Sequence, residues 1–286
     1  RTNRAIFLLI NGNLAAGWQE FRWRHGKPEV ALERLGLPVE WTGAALEQGT
    51  LLVWQEQGIG DEVLFVSCVR DVARQSKAPV IVECEPRLRA LFARSFPEAE
   101  FIDKLKRTAD TPARVDFSDL VEARGISAHC GIGELALFAR SKLETFPKKP
   151  GYLIPSPQKR AHWRAELDAL GPETKIGLCW RSSLRSSEID HYFVSIEGMA
   201  PTLKLPGARF VNLQYDDCEA ELAHAEAALG VEIIRPQGIN LRNDLDDVAA
   251  LISELDLVIS TSTSVLAMSG AIGVPAIGLF LKRDWT

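Results

Sequence analysis

Residues 50–75 read Thr-Leu-Leu-Val-Trp-Gln-Glu-Gln-Gly-Ile-Gly-Asp-Glu-Val-Leu-Phe-Val-Ser-Cys-Val-Arg-Asp-Val-Ala-Arg-Gln, and this stretch decides the predicted fold. Leu51–Trp54 is a continuous apolar run, which is typical of a strand buried on both faces. Gln57–Asp61 is a tight glycine loop, and Asp61–Gln75 carries apolar residues at helical spacing. A strand, a glycine loop and a helix in this order predict the beginning of a β-α-β unit.

The same alternation of strands and helices continues along the chain. The other predicted strands are Pro79–Glu83, Glu100–Asp103, Val115–Phe117, Lys175–Trp180, Arg209–Gln214, Val231–Ile234, Leu257–Ser260 and Pro275–Phe280. The other predicted helices are Thr2–Ile10, Leu14–His25, Pro86–Phe96, Gly131–Arg140, Gln158–Leu170, Cys218–Leu229, Asp244–Leu255 and Thr263–Ile272. Two such runs predict an α/β protein with two Rossmann-like, doubly wound parallel sheets.

Three segments follow from this pattern. Residues 1–28 are predicted to form a helical hairpin, residues 29–155 the first α/β domain, and residues 156–286 the second. Phe146–Gly151 is rich in Pro and Gly, which favours a boundary there. Trp18 and Phe21 share one face of the second helix, so the hairpin needs a partner: the following domain or further hairpins upstream. Ligands of such sheets bind beyond the carboxyl ends of the strands, so we expect a crevice between the two domains.

Composition excludes several classes of protein. The chain has 286 residues, of which 46% are hydrophobic and 25% charged, so it is neither disordered nor collagen-like nor a disulfide scaffold. The net charge of −5 argues against a nucleic-acid partner. No apolar run is long enough to span a membrane. Five cysteines without a C-x-x-C pair favour the reducing cytoplasm, and the start at Arg1 indicates a cut through a longer protein.

The glycine loop carries the first candidate site. Gly58 and Gly60 would let backbone approach a ligand closely, and the start of the helix favours an anion. Asp61 is either the N-cap of that helix or a carboxylate that accepts a proton from an attacking hydroxyl. Glu83 stands where the ribose-binding acid of an NAD site would stand, although Val63 replaces the third glycine of that fingerprint. An exposed strand-end carboxylate is the other interpretation of Glu83.

The second candidate site follows the strands of the second domain. Arg181, with Arg185 and His191 in the same loop, either binds a diphosphate or belongs to a solvated basic loop. Ser260–Ser264 offers more hydroxyl groups than one helix cap needs, so Ser262, Thr263 and Ser264 are candidates for binding phosphate or sugar oxygens. Gln214 ends a neighbouring strand at the same edge.

We expect no metal and no resident cofactor. Asp244–Asp247 resembles a D-x-D metal motif, but acids also suit the start of a helix. The histidines and cysteines show no metal-ligand spacing.

Asn13–Arg24, with the pattern Asn-Leu-Ala-Ala-Gly-Trp-x-x-Phe-x-Trp-Arg, resembles the last tetratricopeptide hairpin in front of certain bacterial glycosyltransferase-like domains. Further stretches of the chain extend the resemblance. They are Gln57–Glu62, Val82–Arg87, Ile176–Arg181, Phe210–Gln214, Asp256–Ser260 and Gly270–Pro275. The chain is therefore similar to the C-terminal part of bacterial tetratricopeptide-repeat glycosyltransferases, which are relatives of heptosyltransferases and, more distantly, of O-linked N-acetylglucosamine transferase.

The resemblance implies a GT-B fold and an inverting transfer from a nucleotide sugar that needs no metal. It implies that Asp61 acts as the base and that Arg181 contacts the diphosphate. Gly58, Gly60, Arg185, Gln214, Ser262, Thr263 and Ser264 are the expected donor-binding residues. The acceptor is expected on the side of the first domain, and upstream tetratricopeptide hairpins would hold a protein acceptor.

One departure from the family pattern leaves alternatives open. The family usually has Asp-Thr-x-x-x-His at the start of the last helix, whereas this chain has Ser262 and Ala267 in place of the Asp and the His. A serine forms hydrogen bonds but brings no charge. The second hypothesis is therefore a GT-B scaffold or binding module without turnover, and the third is an NAD-dependent enzyme.

Overall fold

A computed structural model describes residues 2–25, 32–110, 112–183 and 193–280. These residues form two units, of which the first ends at Lys148 and the second begins at Lys149. The break falls inside the segment 146–151 that the Pro and Gly content singled out.

Unit 1 alternates strands with short helices. Its strands are β1 (Glu33–Leu35), β2 (Val39–Glu40), β3 (Thr50–Trp54), β4 (Val80–Cys84), β5 (Glu100–Asp103), β6 (Arg114–Asp116) and β7 (Ile126–Gly131). Its helices are α1 (Thr2–Ile10), α2 (Leu14–Phe21), α3 (Ile59–Phe65), α4 (Val69–Ser76), α5 (Arg89–Ser95), α6 (Ser118–Arg124) and α7 (Leu135–Ala139). The main sheet is parallel with the order β2-β7-β3-β4-β5, and β1 pairs with β6. The central strand β3 is buried along its whole length, as its apolar sequence predicts.

The helical hairpin α1–α2 packs onto unit 1. Trp18 lies edge-on to Phe65 of α3 with 5.9 Å between ring centroids, and its indole Nε1 donates to the carbonyl of Arg140 at 3.0 Å. Of the two partners that the sequence left open, the hairpin therefore uses the following domain. Its identity as a tetratricopeptide repeat stays a prediction.

A buried ion pair ties the end of the hairpin to the sheet. Arg24 contacts Glu56 through Nε, at 2.6 Å, and through Nη2, and both side chains are almost wholly buried. Glu56 Oε1 also accepts from the backbone N–H of Gly133, just beyond β7. A Cβ on Gly131 would come within 2.6 Å of Glu56 Oε1, so glycine is required there.

Unit 2 repeats the architecture with one main sheet. Its strands are β8 (Thr174–Cys179), β9 (Ala208–Asn212), β10 (Ile233–Ile234), β11 (Leu257–Thr261) and β12 (Ala276–Leu279). Its helices are α8 (Pro157–Asp168), α9 (Ala200–Leu203), α10 (Glu219–Leu229), α11 (Leu245–Ile252) and α12 (Ser264–Ile272). The sheet is parallel with the order β10-β9-β8-β11-β12. This is the doubly wound order, because the chain moves outward from β8 in one direction and then starts again at β11 in the other.

The structure corrects several predicted elements. The helix predicted over residues 61–75 begins two residues earlier and is divided into α3, a 3₁₀ turn over Val66–Cys68, and α4. The region predicted as a helix over residues 131–140 is a 3₁₀ turn followed by the short α7. The sequence reading missed β1, β2, β7, α6 and α9 altogether.

Replacing Arg24 by alanine leaves the Glu56 carboxylate buried without its cation. Removing one partner of a buried pair in this way typically costs about 3–5 kcal/mol. We therefore expect Arg24→Ala to lower the free energy of unfolding of unit 1 by that order, measured by urea denaturation. Arg4→Ala is the matched control because Arg4 is exposed on the same hairpin and its guanidinium lies 3.8 Å from Glu20; it should change stability by less than about 1 kcal/mol. Equal effects of the two variants would contradict the assignment.

Candidate functional site

The glycine loop of unit 1 lies at the carboxyl end of β3. Gln57 adopts a left-handed backbone conformation with φ of 62°, and Gly58 is the N-cap of α3. Asp61 is the third residue of that helix, and its Oδ2 accepts from the Gly58 N–H at 3.1 Å. Asp61 therefore supports the start of the helix without being its N-cap, which differs from the N-cap role that the sequence suggested.

Asp61 combines partial burial with a second contact. With the Gln57 amide assigned to satisfy both of its ends, Nε2 donates to Asp61 Oδ1 at 3.2 Å and the amide oxygen accepts from Arg24 Nε. Burial raises the pKa of Asp61 above its usual value, against the opposing hydrogen bond from Gly58. A carboxylate with a raised pKa is a stronger proton acceptor than an exposed aspartate, as a general base requires.

Gly58 has no packing reason to be glycine. A Cβ at this position would meet Asp61 Oδ2 at 3.7 Å, an ordinary contact, and its φ lies outside the left-handed region. The absence of a side chain keeps the loop surface open, as close approach by a ligand requires. Ligand contacts of Gly58 and Gly60 stay predictions.

Glu83 fits neither of its sequence interpretations. Its side chain is buried, and its two oxygens accept from the backbone N–H groups of Gln55, at 2.9 Å, and Leu105, at 2.6 Å. Glu83 therefore ties the ends of β3 and β5 together across β4. The observation that motivated the NAD hypothesis, a free ribose-binding acid, is not met.

In unit 2 the ends of β8 and β11 meet. The two strands are neighbours in the sheet although β9 and β10 lie on the other side of β8, and ligands of doubly wound sheets bind at such a point. The Cys179 Sγ lies 3.6 Å from the Thr263 Oγ1, and Ser260 Oγ lies 3.0 Å from that same hydroxyl. The structure thus brings the predicted 260–264 segment next to the end of β8. Burial raises the pKa of Cys179 to about 11, so this thiol stays protonated near neutral pH.

Within the part of unit 2 that the structure describes, the N-terminus of α12 has no side-chain cap. Thr263 is its N-cap, but the Thr263 side chain makes no capping hydrogen bond, and Ser262 is exposed. The first N–H groups of a helix have no partners within the helix, so an uncapped start can donate them to an anion. Thr261, at the end of β11, carries a buried hydroxyl oxygen that has no hydrogen-bond partner among the described residues.

Gln214 is fully engaged inside the protein. Its amide oxygen accepts from the backbone N–H groups of Trp180 and Arg181, both at 3.2 Å. Its amide nitrogen donates to the Arg181 carbonyl at 2.9 Å and to Asp216 Oδ1 at 2.7 Å. This geometry gives Gln214 the role of holding the segment after β8 in place, and a direct contact with a donor stays a prediction.

Arg181 is buried and ion-paired, which rules out the solvated basic loop as a description of it. Its guanidinium contacts Asp216 through Nη1 and Glu221 through Nε and Nη2, and Nη2 also donates to the Asp217 carbonyl. These hydrogen bonds, above all that with Glu221, raise the pKa of Arg181 further. A diphosphate contact stays a prediction and requires Arg181 to share or exchange these carboxylates. Arg185 and His191 lie outside the described residues.

The Asp244–Asp247 segment is used within unit 2. Asp247 accepts from Trp163 Nε1 at 2.6 Å and pairs with Lys159, while Asp244 accepts from the Asn240 N–H. Among the described residues, no three His, Cys, Asp or Glu side chains come together in a way that could hold a metal ion. None of the described helices has both the length and the apolar character that crossing a membrane requires.

Sequence reasoning missed the groups that hold both candidate sites. The ion pair of Arg24 with Glu56 was not predicted, although both residues lie in stretches that the sequence singled out. Asp216 and Glu221 were not singled out. Their positions after β9 and in the first turn of α10 are the only local signal, since both partners of Arg181 come from far along the chain.

Comparison with known proteins gives one similar curated protein and several similar folds. No protein-family profile matches the chain. Protein FlbA of Caulobacter vibrioides is 37% identical over 295 residues, which cover 99% of this chain and 48% of that protein. The chain thus spans about half the length of the curated relative it matches.

Two solved structures are similar in fold. The glycosyl transferase family 9 protein from Veillonella parvula has a TM-score of 0.60 at 10% identity, covering 84% of each chain. The ADP-heptose lps heptosyltransferase II of E. coli has a TM-score of 0.53 at 14% identity, covering 81% of this chain and 84% of the other. Similarity at this level of identity concerns the fold, and it is consistent with the GT-B class predicted from the sequence.

Replacing Gln214 by leucine removes the acceptor for two buried N–H groups. Each orphaned buried donor costs about 1–3 kcal/mol, so we expect Gln214→Leu to destabilise unit 2 by at least that amount in denaturant unfolding. Gln237→Leu is the control, because Gln237 is exposed and its amide nitrogen donates to the Arg235 carbonyl two residues away; it should stay within about 0.5 kcal/mol of the parent. A Gln214→Leu protein as stable as the control would refute the holding role.

Proposed function

We propose that this chain is the catalytic part of a glycosyltransferase that takes its sugar from a nucleotide-sugar donor. One observation carries the proposal: β8 and β11 of unit 2 meet at the point where the direction of chain winding reverses, and the uncapped α12 begins there. Backbone N–H groups and hydroxyls at this point suit a diphosphate. The fold similarity to glycosyltransferases supports the proposal.

The proposed reaction is a single inverting displacement. The acceptor hydroxyl oxygen attacks the anomeric carbon of the donor, and its proton passes to Asp61. The bond between the anomeric carbon and the diphosphate oxygen breaks, and the nucleoside diphosphate leaves with the electron pair. No metal is needed where helix N–H groups and hydroxyls stabilise the charge on the leaving group.

Ser262, Thr263 and Ser264 are the proposed donor-binding residues of unit 2. Arg181 and Gln214 shape the neighbouring strand end, and Arg185 is proposed as a further cation for the donor. Gly58 and Gly60 are proposed to keep the surface beside Asp61 open to the reacting sugars. A protein is the proposed acceptor, on the basis of the sequence resemblance to tetratricopeptide-repeat glycosyltransferases.

A second candidate is a binding module without turnover. Two observations favour it: Ser262 and Ala267 replace the Asp and His of the resembling family, and the Arg181 charge is already matched by Asp216 and Glu221. Such a module would bind a nucleotide sugar without cleaving it.

Incubation with a panel of ADP-, UDP- and GDP-sugars, ADP-heptose included, distinguishes the two candidates. We expect release of the nucleoside diphosphate, detected by chromatography, from at least one donor. Binding of a donor by calorimetry without any release would favour the binding module. Neither binding nor release across the panel would overturn both candidates.

The isosteric variant Asp61→Asn tests the proposed base. An asparagine oxygen still accepts from the Gly58 N–H, so α3 should form as before, but the side chain no longer takes a proton. We expect the transfer rate to fall about 10²–10⁴-fold. Asp119→Asn is the control, since Asp119 is an exposed acid in the first turn of α6, and it should retain full activity.

The pH profile of the parent protein provides a second readout. Because burial raises the pKa of Asp61, its base form should appear at a higher pH than that of an ordinary aspartate, whose pKa is about 3.9. The rate of transfer should therefore rise with pH, with an acid limb of the pH–rate profile that lies at higher pH than an ordinary aspartate would give. The Asp61→Asn variant should lack that acid limb. A limb that persists in Asp61→Asn would assign the base to another group.

A further inference from the structure

A pocket in unit 1 begins at Gln57 and Gly58 of the glycine loop and extends away from Asp61 to charged residues that have no role in the proposed reaction. It has a volume of about 400 Å³ and is lined by the ends of β3, β4 and β5 and by the start of α3. The charged groups on its wall are Glu62, Glu85, Arg87, Lys104 and Arg107. The pocket therefore sits at the carboxyl edge of the sheet, on the β4 side of β3, whereas the Arg24–Glu56 pair fills the β7 side.

Cations outnumber carboxylates on this wall, three to two. Glu85 accepts from both Arg87 Nε, at 2.8 Å, and Lys104 Nζ, at 2.5 Å, so one carboxylate serves two cations. Arg107 has no carboxylate within ion-pair distance in the described residues, and its Nη2 donates to the neutral Gln55 amide at 3.2 Å. The exposed Arg107 therefore lines the pocket without a direct ion pair, and the carboxylate whose charge interacts with it is the buried Glu83, whose oxygens already accept two backbone N–H groups.

Glu62 makes the balance of charge depend on pH. Its carboxylate is buried, accepting from Gln55 Nε2 at 2.9 Å and from the Glu85 N–H at 2.8 Å. Burial raises the pKa of Glu62 to about 7. The other charged or titratable groups that face it are Glu85, Lys104 and the Cys84 thiol, whose pKa burial raises further above its usual value. Protonation of Glu62 near neutral pH thus removes one negative charge from the pocket.

We propose that this pocket binds the phosphate or carboxylate group of a small anionic ligand, with Arg107 as its principal contact. Arg87 and Lys104 add positive charge to the same wall, and a guanidinium matches the planar or tetrahedral arrangement of such oxygens. The anion binds more tightly when Glu62 is protonated, because the wall then carries one negative charge fewer and repels the anion less. The pocket shares Gly58 with the proposed transfer site, but anion binding by Arg107 is measured without turnover, so the two proposals are tested separately.

The test is an NMR titration of the isotope-labelled chain. Sulfate is the probe with the shape of phosphate, and oxalate is the carboxylate probe; both keep a fixed charge between pH 6 and pH 8. The backbone amide signals of Gly58 and Leu105, which line the pocket, report the occupied site. We expect saturable shifts with at least one probe, and the tighter probe identifies the anion chemistry.

Three variants make the result specific. Arg107→Ala should weaken binding at these signals by about tenfold or more, the scale of losing a hydrogen bond to a charged group. Lys106→Ala removes the same charge one residue away and should leave binding within about twofold. Parent binding should be at least about threefold tighter at pH 6 than at pH 8, and Glu62→Gln should abolish that difference.

Unsaturable shifts with both probes would overturn the proposal, as would equal losses in Arg107→Ala and Lys106→Ala. Arg107→Lys keeps the charge at an exposed position and guards against a folding artefact, and it should restore most of the affinity. If the pocket binds neither anion but sugar transfer is observed, only the anion-binding proposal is overturned and the proposed function stands. Anion binding without any nucleotide-sugar turnover would remove only that function.

Discussion

The parallel pairing of one buried strand with neighbours on both sides is the constraint on which each unit depends. In unit 2, β8 pairs with β9 on one side and with β11 on the other, and the chain reaches these two strands by moving in opposite directions. The connections that leave β8 and β11 therefore separate, and their ends remain open at the carboxyl edge. The same pairing of β3 with β4 and β7 governs unit 1.

The two units use this edge in different ways. In unit 1, Arg24 from the hairpin pairs with Glu56, and Gly131 and Gly133 at the end of β7 pack against the Glu56 carboxylate. Protein side chains therefore fill the carboxyl edge between β3 and β7. A buried ion pair is weak evidence for stability, since desolvation offsets much of its attraction, but it fixes the position of both partners. Glu56 directly precedes Gln57, so the hairpin also restrains the loop that carries Asp61. In unit 2 the corresponding edge holds an uncapped helix.

Much of the fold was predictable, because continuous apolar runs such as Leu51–Trp54 identify strands that are buried on both faces. The missed strand β7 shows where this signal fails. Its Ser127 and His129 interrupt the apolar pattern, yet Ser127 donates to the Gln48 carbonyl and His129 accepts from Trp54 Nε1. Such partners are supplied by tertiary contacts and leave no trace in a local window. The glycine loop with Asp61 was predictable from local sequence, whereas the Arg24–Glu56 pair was not.

The charges of the described residues at the carboxyl edge of the unit 2 sheet determine which groups can bind an anion there. Asp216 and Glu221 together carry two negative charges against the single positive charge of Arg181, so this cluster taken by itself does not attract a diphosphate. Four of the five guanidinium N–H groups are already directed at protein oxygens. Within the described residues, attraction at the reversal point therefore falls to neutral donors: the N–H groups that open α12 and the hydroxyls beside them. Neutral donors held rigidly stabilise a leaving diphosphate without the cost of desolvating a free cation.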